Sequence, residues 1–275
     1  MLREFGYVEG KNIAIEYRSA DNKLDRLPAL ADELVRLKVD VILTPSPPAA
    51  LAAKNATRTI PIVFNSISDP VALGLVDSLA RPGGNITGVT NIASELSGKR
   101  LEILKETNPK LSRVAVLWNL QGPSSAHPWK ESQLAAKELG LQLHSMEVSS
   151  ADKYESAFKE ATKTGSAALA VTLSPLANAN QKRIADLATK HRLAAIYPRG
   201  DYVASGGLMS YGADQAEAYR RVAIFVDKIL KGTKPADIPV EQPMKFEFFI
   251  NLKAAKQIGL TIPPNVLARA DRVIR

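Results

Sequence analysis

Cysteine is absent from the 275 residues, which excludes disulfides, thiolate metal sites and cysteine nucleophiles. Histidine is scarce. His127, His144 and His191 are the only three, at a loop or helix start, inside a strand and at a helix end, with none of the spacings that pair metal ligands. No G-x-S-x-G elbow, Walker loop or G-x-G-x-x-G after a first strand occurs, and Gly83-Gly84 reads as a turn. No apolar run approaches the roughly 18 residues that a membrane span requires. Aromatic residues make up 6% of the chain, and the formal charge of +8 comes from scattered cations. Lys99-Arg100, Lys182-Arg183 and Arg220-Arg221 are isolated pairs among acidic neighbours, so a nucleic-acid surface is not expected. Neither a cofactor nor a metal is expected, and an enzyme would need a nucleophile and base that the chain does not offer.

What is present is an ordinary soluble composition, 45% hydrophobic and 23% charged, with a repeating apolar rhythm. Val39 to Leu43 and Ile60 to Phe64 are short, β-branched and apolar on both faces, the pattern of parallel strands sandwiched between helix layers. Small polar residues follow each run, Thr44-Pro45-Ser46 and Asn65-Ser66-Ile67-Ser68-Asp69-Pro70, before an expected helix. In an open α/β sheet, ligands bind beyond the carboxyl ends of the strands, where helix N-termini offer unpaired N–H groups. Ser46 and Asp69 also stand where N-caps would, with Pro47 and Pro70 at the first helical position, so capping alone is the competing explanation.

In chain order, Leu2 to Phe5 reads as the last turn of a helix stopped by Gly6. Such a chain start implies that the helix beginning, and the strand before it, are missing. Lys11 to Arg18 alternates as a strand, Asp25 to Lys38 is an amphipathic helix, and Ile86 to Thr90 is the third strand. Glu95 to Thr107 is a helix, and Arg113 to Trp118 opens a second βα series. Its helices are a segment ending at Leu139, then Lys153 to Lys163 and Ala179 to His191. Its strands are Leu141 to Val148, Ala167 to Leu173, Leu193 to Tyr197 and Gly207 to Gly212. Ala213 to Lys231 is the longest helix, Pro239 to Asn251 is extended, and Leu252 to Ile258 and Asn265 to Val273 are short terminal helices. Two doubly wound parallel-sheet lobes follow from this, residues 1–92 with 213–241 and residues 93–212 with 242–275. Without a long linker, the lobes imply close-set chain crossings and a hinge.

Candidate site residues lie where strands end. Asp69, Asp201 and Asp214 are candidates for binding an ammonium group or for capping helices. Trp118, Tyr197 and Tyr211 end three strands and offer ligand-facing rings, with core as the competing explanation for Trp118 and Tyr197. Hydroxyls, amides, carboxylates and aromatic rings without a nucleophile and base point to recognition without reaction.

ATRTIPIVFNSISDPVALGLVDSLARPGGNITGVT, ELSGKRLEILKETNP, RVAVLWN, AIYPRGDYVASGGLMSYGAD and YRRVAIFVDKILKGTKPADIPVEQPMKFEFFINLKAAKQIGLTIPP together resemble the ABC-transporter substrate-binding proteins of type I periplasmic-binding fold. That family includes receptors for tryptophan and other aromatic amino acids. The resemblance implies two α/β lobes joined by a three-stranded hinge. They would close on a small ligand outside the cytoplasm and present it to an ABC permease, the receptor acting as a monomer. It places the ligand among Thr44, Pro45 and Ser46, Ser66, Ser68 and Asp69, Asn119 to Ser125, and Thr172, Ser174 and Pro175, with Tyr197 and Tyr211 nearby. In amino acid receptors of the family, hydroxyls hold the carboxylate and an acidic side chain near the hinge holds the ammonium, roles that fall here on Ser124, Ser125 and Asp214. Family members begin with a secretory or lipoprotein signal, then a strand and a ligand-facing loop, upstream of a motif like Glu4 to Gly10. The chain is expected to lack that first strand of the N-terminal lobe. Other classes compatible with a bilobal α/β fold are the ligand-sensing part of a transcription regulator and an enzyme on the same scaffold.

Overall fold

The computed structural model describes residues 1–21, 23–119 and 127–275. In chain order the elements are α1 (Leu27–Arg36), β1 (Ile42–Thr44), α2 (Pro47–Ala56), β2 (Ile62–Ile67), β3 (Ile86–Thr90), α3 (Leu96–Thr107), β4 (Arg113–Trp118) and α4 (His127–Glu138). They continue with β5 (Gln142–Glu147), α5 (Tyr154–Lys163), β6 (Ala168–Val171), α6 (Pro175–Ala179), α7 (Gln181–Lys190), β7 (Ala194–Tyr197), α8 (Gly200–Ala204) and β8 (Met209–Ala213). The last are α9 (Gln215–Leu230), β9 (Phe246–Asn251), α10 (Leu252–Gln257), α11 (Pro264–Leu267) and β10 (Arg272–Ile274). The chain divides into two compact units, Met1–Asn91 with Asp214–Met244, and Ile92–Ala213 with Lys245–Arg275.

The first unit is built on a parallel sheet of order β1-β2-β3. Side chains alternate across it, as the pleat requires. Ile42, Ile62 and Phe64 pack with Ala50 and Ala53 of α2 on one side, while Val63 and Val89 meet Val222, Phe225 and Val226 of α9 on the other. Residues 239–241 run beside β3, where the Glu241 N–H donates to the Gly88 carbonyl and the Thr90 N–H donates to the Glu241 carbonyl. The Arg221 guanidinium of α9 grips both oxygens of the Glu241 carboxylate.

Three expectations for this unit change. Residues 11–18 form no ladder strand: a bridge between Glu9 and Ile13 is all that forms there, and Tyr17 is 76% exposed. An alternating pattern makes a strand only where a neighbour offers a ladder, and β1, the edge of the sheet, pairs with β2 alone among the described strands. β1 itself is not buried on both faces, since Leu43 is 53% exposed. After β2, no helix follows Asp69. Residues 70–79 run through turns, with the Leu73 N–H donating to the Asp69 carbonyl and Gly74 at φ +65°. A left-handed residue within the first turn ends a helix before it can propagate.

The second unit has seven strands in the order β10-β9-β8-β7-β6-β4-β5, parallel except where β8 meets β9. Val114, Val116, Ala170 and Ile196 join Leu101 and Leu104 of α3 on one face. Ala115, Leu117, Leu169 and Ala195 join Phe158 of α5 and Ile184 of α7 on the other. The terminal segment is also corrected. The helix expected over 265–273 stops at Leu267, and Arg272–Ile274 instead add a parallel strand to β9. Asp271 directs this change, because its carboxylate accepts from the Phe248 N–H and its own N–H donates to the Phe248 carbonyl. A short helix, α6, starts at Pro175 ahead of the helix expected from Ala179, and Asn180 separates it from α7.

Gly212 sits in β8 where the strand passes the loop after β7, and a Cβ there would lie 1.9 Å from the Pro198 carbonyl oxygen. That neighbour is backbone and has nowhere to go. Gly212→Ala is expected to lower the urea midpoint by an amount equivalent to about 2 kcal/mol. Gly84→Ala, with nothing within 4 Å, should stay within about 0.5 kcal/mol of the parent. Equal midpoints for the two variants would contradict the close approach.

Candidate functional site

In the first unit the ends of β1, β2 and β3 gather the expected residues on one edge. Thr44 is 3% exposed, and its hydroxyl oxygen has no hydrogen-bond partner. Pro45 is exposed. Ser46 occupies the N-cap position of α2 in extended backbone with Pro47 following, but its side chain makes no cap hydrogen bond. Capping alone therefore does not account for Ser46. Its hydroxyl stands beside the helix N-terminus without quenching it, and the positive end of the helix dipole remains available to a negative group.

Ser66 lies at φ +62°, where the β2–β3 register shifts between Asn65 and Ile67. A left-handed non-glycine residue costs about 1–2 kcal/mol, so the surroundings must hold it. Asn91, directly after β3 and 5% exposed, does so. Its amide donates to the Ser66 carbonyl and to the Ser66 hydroxyl at 3.3 Å, and the Ser68 hydroxyl donates to its oxygen at 2.9 Å. Asn91 was not among the expected residues, although its place in the run Gly-Val-Thr-Asn, immediately beyond a strand, is the same signal that marks Ser46 and Ser66. Asp69 is exposed and accepts from the Ala72 N–H at 2.9 Å, serving a turn. The Asn65 carbonyl oxygen of the side chain is buried without a partner.

Asp214 is the N-cap of α9. It is 6% exposed and accepts from the N–H groups of Ala216 at 2.9 Å and Glu217 at 3.2 Å. Both expected roles of this residue, capping and ammonium binding, concern the same carboxylate, and that carboxylate caps α9.

In the second unit β7, β6 and β4 are neighbours, and the expected residues lie at their ends. Asn119 is buried, with its amide donating to the Val148 carbonyl at 2.6 Å. The Thr172 hydroxyl and N–H both donate to the Leu117 carbonyl, at 3.0 and 2.9 Å. The Ser174 hydroxyl caps α6 by accepting from the Ala177 N–H at 3.1 Å. Ser124 and Ser125 lie outside the described residues. Tyr197 is fully buried, stacked on Tyr202 at 4.8 Å between ring centroids. Burial drives its hydroxyl pKa upward, and the ring packs in the apolar cluster with Leu117, Val171 and Tyr202, which makes it core although its hydroxyl, like that of Thr44, has no partner. Tyr211 packs against Phe246 and Phe248. Trp118 donates its indole N–H to the Ser145 hydroxyl at 2.8 Å and stacks on Trp129 with the planes 8° apart.

The third acidic candidate, Asp201, is already neutralised within its own unit. One of its oxygens meets the Arg199 guanidinium at 2.7 Å and the Gln181 amide at 3.0 Å. His127 pairs with Glu131, and the His191 pKa is lowered, first by burial. Among the described residues, no group of three or more histidine, aspartate or glutamate side chains could hold a metal ion, and no helix is long and apolar enough to cross a membrane.

The chain is similar to a curated tyrosine-binding protein of Clostridioides difficile strain R20291, with 28% identity over 259 residues, 94% of this chain and 74% of that protein. Among solved structures, a conserved domain protein from Vibrio cholerae aligns with a TM-score of 0.92 and 28% identity, covering 99% of this chain and 91% of that one. A Streptococcus pneumoniae ABC domain in complex with L-Trp aligns with a TM-score of 0.87 and 26% identity, covering 99% of this chain and 92% of that one. The fold, α/β with parallel sheets, is that of type I periplasmic-binding proteins. Residues 1–274 match the family described as ABC transporter substrate binding protein. Its members bind small ligands, work with permeases and are typically periplasmic or surface-attached. Matched from its first strand to its last, the chain belongs to the ABC transporter substrate-binding protein family.

Proposed function

We propose that this protein is the receptor component of an ABC importer and captures an aromatic L-amino acid, tyrosine or tryptophan, or a closely related carboxylate. The observation that carries the reading is chemical. The strand ends of the first unit hold a buried hydroxyl without a partner, Thr44, beside a helix N-terminus that its N-cap serine leaves unquenched. That combination suits a carboxylate, which accepts hydrogen bonds and complements the dipole. The relatives that bind tyrosine and L-Trp support the aromatic side chain. In this reading Thr44, Ser46, Ser66 and Ser68 serve the ligand from one unit. Asn119, Ser124, Ser125 and Thr172 serve it from the other, Asp214 meets the ammonium group, and closure about the chain crossings traps it. The receptor acts outside the cytoplasm as a monomer and delivers its ligand to a permease.

Thermal unfolding tests this reading, because a ligand that binds the native state alone raises Tm by mass action. At a concentration about 100 times Kd the stabilisation is about 2.7 kcal/mol. L-Tyrosine or L-tryptophan is expected to shift Tm, with tyramine, which lacks the carboxylate, ineffective. No shift with either amino acid, on a protein with a sharp transition, would overturn the proposal.

Asp214 separates its two roles by substitution. Asp214→Asn keeps a capping oxygen and removes the charge, so stability should hold while affinity for the amino acid falls about tenfold or more. Asp214→Ala should also lose about 0.5–2 kcal/mol of stability with the cap. Calorimetric binding that is unchanged in Asp214→Asn would leave this carboxylate as a cap only.

A further inference from the structure

Arg100, on the second turn of α3, is 2% exposed and among the largest fully buried side chains of the protein. Its guanidinium contacts no carboxylate among the described residues. It donates to the Ala93 carbonyl, to the Ser97 hydroxyl at 3.1 Å and to the Tyr211 carbonyl at 3.3 Å. Burial pushes its pKa down to about 10, so the group stays charged at neutral pH. Burying an ion away from water costs several kcal/mol, and an apolar side chain of similar volume would pack more cheaply. Stability alone is a poor reason for such a group.

Its partners supply another. The chain passes between the two units at residues 91–92, 213–214 and 244–245. Ala93 lies just inside the second unit after the first passage, and Tyr211 just before the second. Tyr211, Gly212 and Ala213 are laddered to Phe248, Glu247 and Phe246, which follow the third passage. The second and third segments are thus fixed to each other by backbone pairing. The first, Ile92–Ala93, belongs to no strand of that sheet, and the guanidinium fork ties its carbonyl to the Tyr211 carbonyl. A planar fork reaches two carbonyls in a set geometry, which a lysine ammonium cannot reproduce.

We propose that Arg100 is a positioning residue for ligand capture, locking the first crossing segment to the other two so that all three leave the second unit in a fixed arrangement. This rests on the receptor reading for its functional consequence, while the tie itself lies within one unit. Rigid exit geometry limits the conformations available to the free receptor, and each non-productive conformation populated lowers the apparent affinity.

The test compares Arg100→Lys with Phe158→Leu, a core change on the opposite face of the second unit's sheet, chosen for a matching fall in Tm. Arg100→Lys is expected to weaken binding of L-tyrosine or L-tryptophan about tenfold, while Phe158→Leu stays within about twofold of the parent. Hydrogen exchange provides a readout that needs no ligand. Peptides covering residues 92–95 and 209–213 should both exchange about tenfold faster in Arg100→Lys and not in the control. Ser97→Ala, which removes one hydroxyl contact to the guanidinium and is mild enough to fold, should move both readouts in the same direction by a smaller factor. Normal affinity with normal exchange in Arg100→Lys, or equal losses in Phe158→Leu, would overturn the assignment. If the parent protein itself binds neither amino acid, the receptor reading fails, and faster or unchanged exchange still decides the role of Arg100.

Discussion

Parallel strands impose the constraint from which the candidate site follows. A parallel neighbour can be reached only by carrying the chain back to the end from which the first strand started. Within a unit every such strand therefore ends on the same edge. In the first unit this brings Thr44, Ser66 and Asn91 to one edge although 47 residues separate the first from the last. In the second it does the same for Trp118, Thr172 and Tyr197. Recognition chemistry then depends on which of these groups the local backbone has already used.

That division of labour is uneven. Thr172, Ser174 and Asn119 each engage a backbone group inside the second unit, at Leu117, Ala177 and Val148. Asp69 and Asp201 serve a turn and an arginine. Thr44 keeps an unused hydroxyl oxygen, and Ser46 leaves its helix uncapped. A buried hydroxyl without a partner costs about 1–3 kcal/mol in mutational terms, which a protein tolerates most readily where a ligand supplies the missing bond. The left-handed Ser66, stabilised by Asn91, fits the same pattern of strain concentrated at strand ends.

Two polar side chains stand out for what they hold rather than what they expose. Asn91 and Arg100 lie on either side of the first chain crossing. Asn91 fastens the β2 turn, and Arg100 fastens the segment that follows to β8. Each replaces a backbone ladder that the local segment cannot make, and side-chain hydrogen bonds to backbone carbonyls are the physical means in both.

Local sequence determined the βα rhythm, because β-branched runs such as Ile62 to Phe64 and Arg113 to Trp118, and amphipathic helices such as Leu27–Arg36 and Gln215–Leu230, carry their periodicity in neighbouring residues. The same signal placed the candidate groups after strands, and it offered Asp214 as a cap. Local pattern misled where the outcome depended on distant partners. Lys11 to Arg18 alternates like a strand without a ladder to join, Asp271 drew the final residues into a sheet, and Gly74 turned an expected helix into turns. Nothing adjacent in sequence decides whether Tyr197 is core or faces a ligand, or says that Asn91 braces Ser66 or that Arg100 reaches a carbonyl 111 residues away. Those facts are decided by tertiary structure, because burial and hydrogen-bond partnership depend on which segments the sheet order makes neighbours.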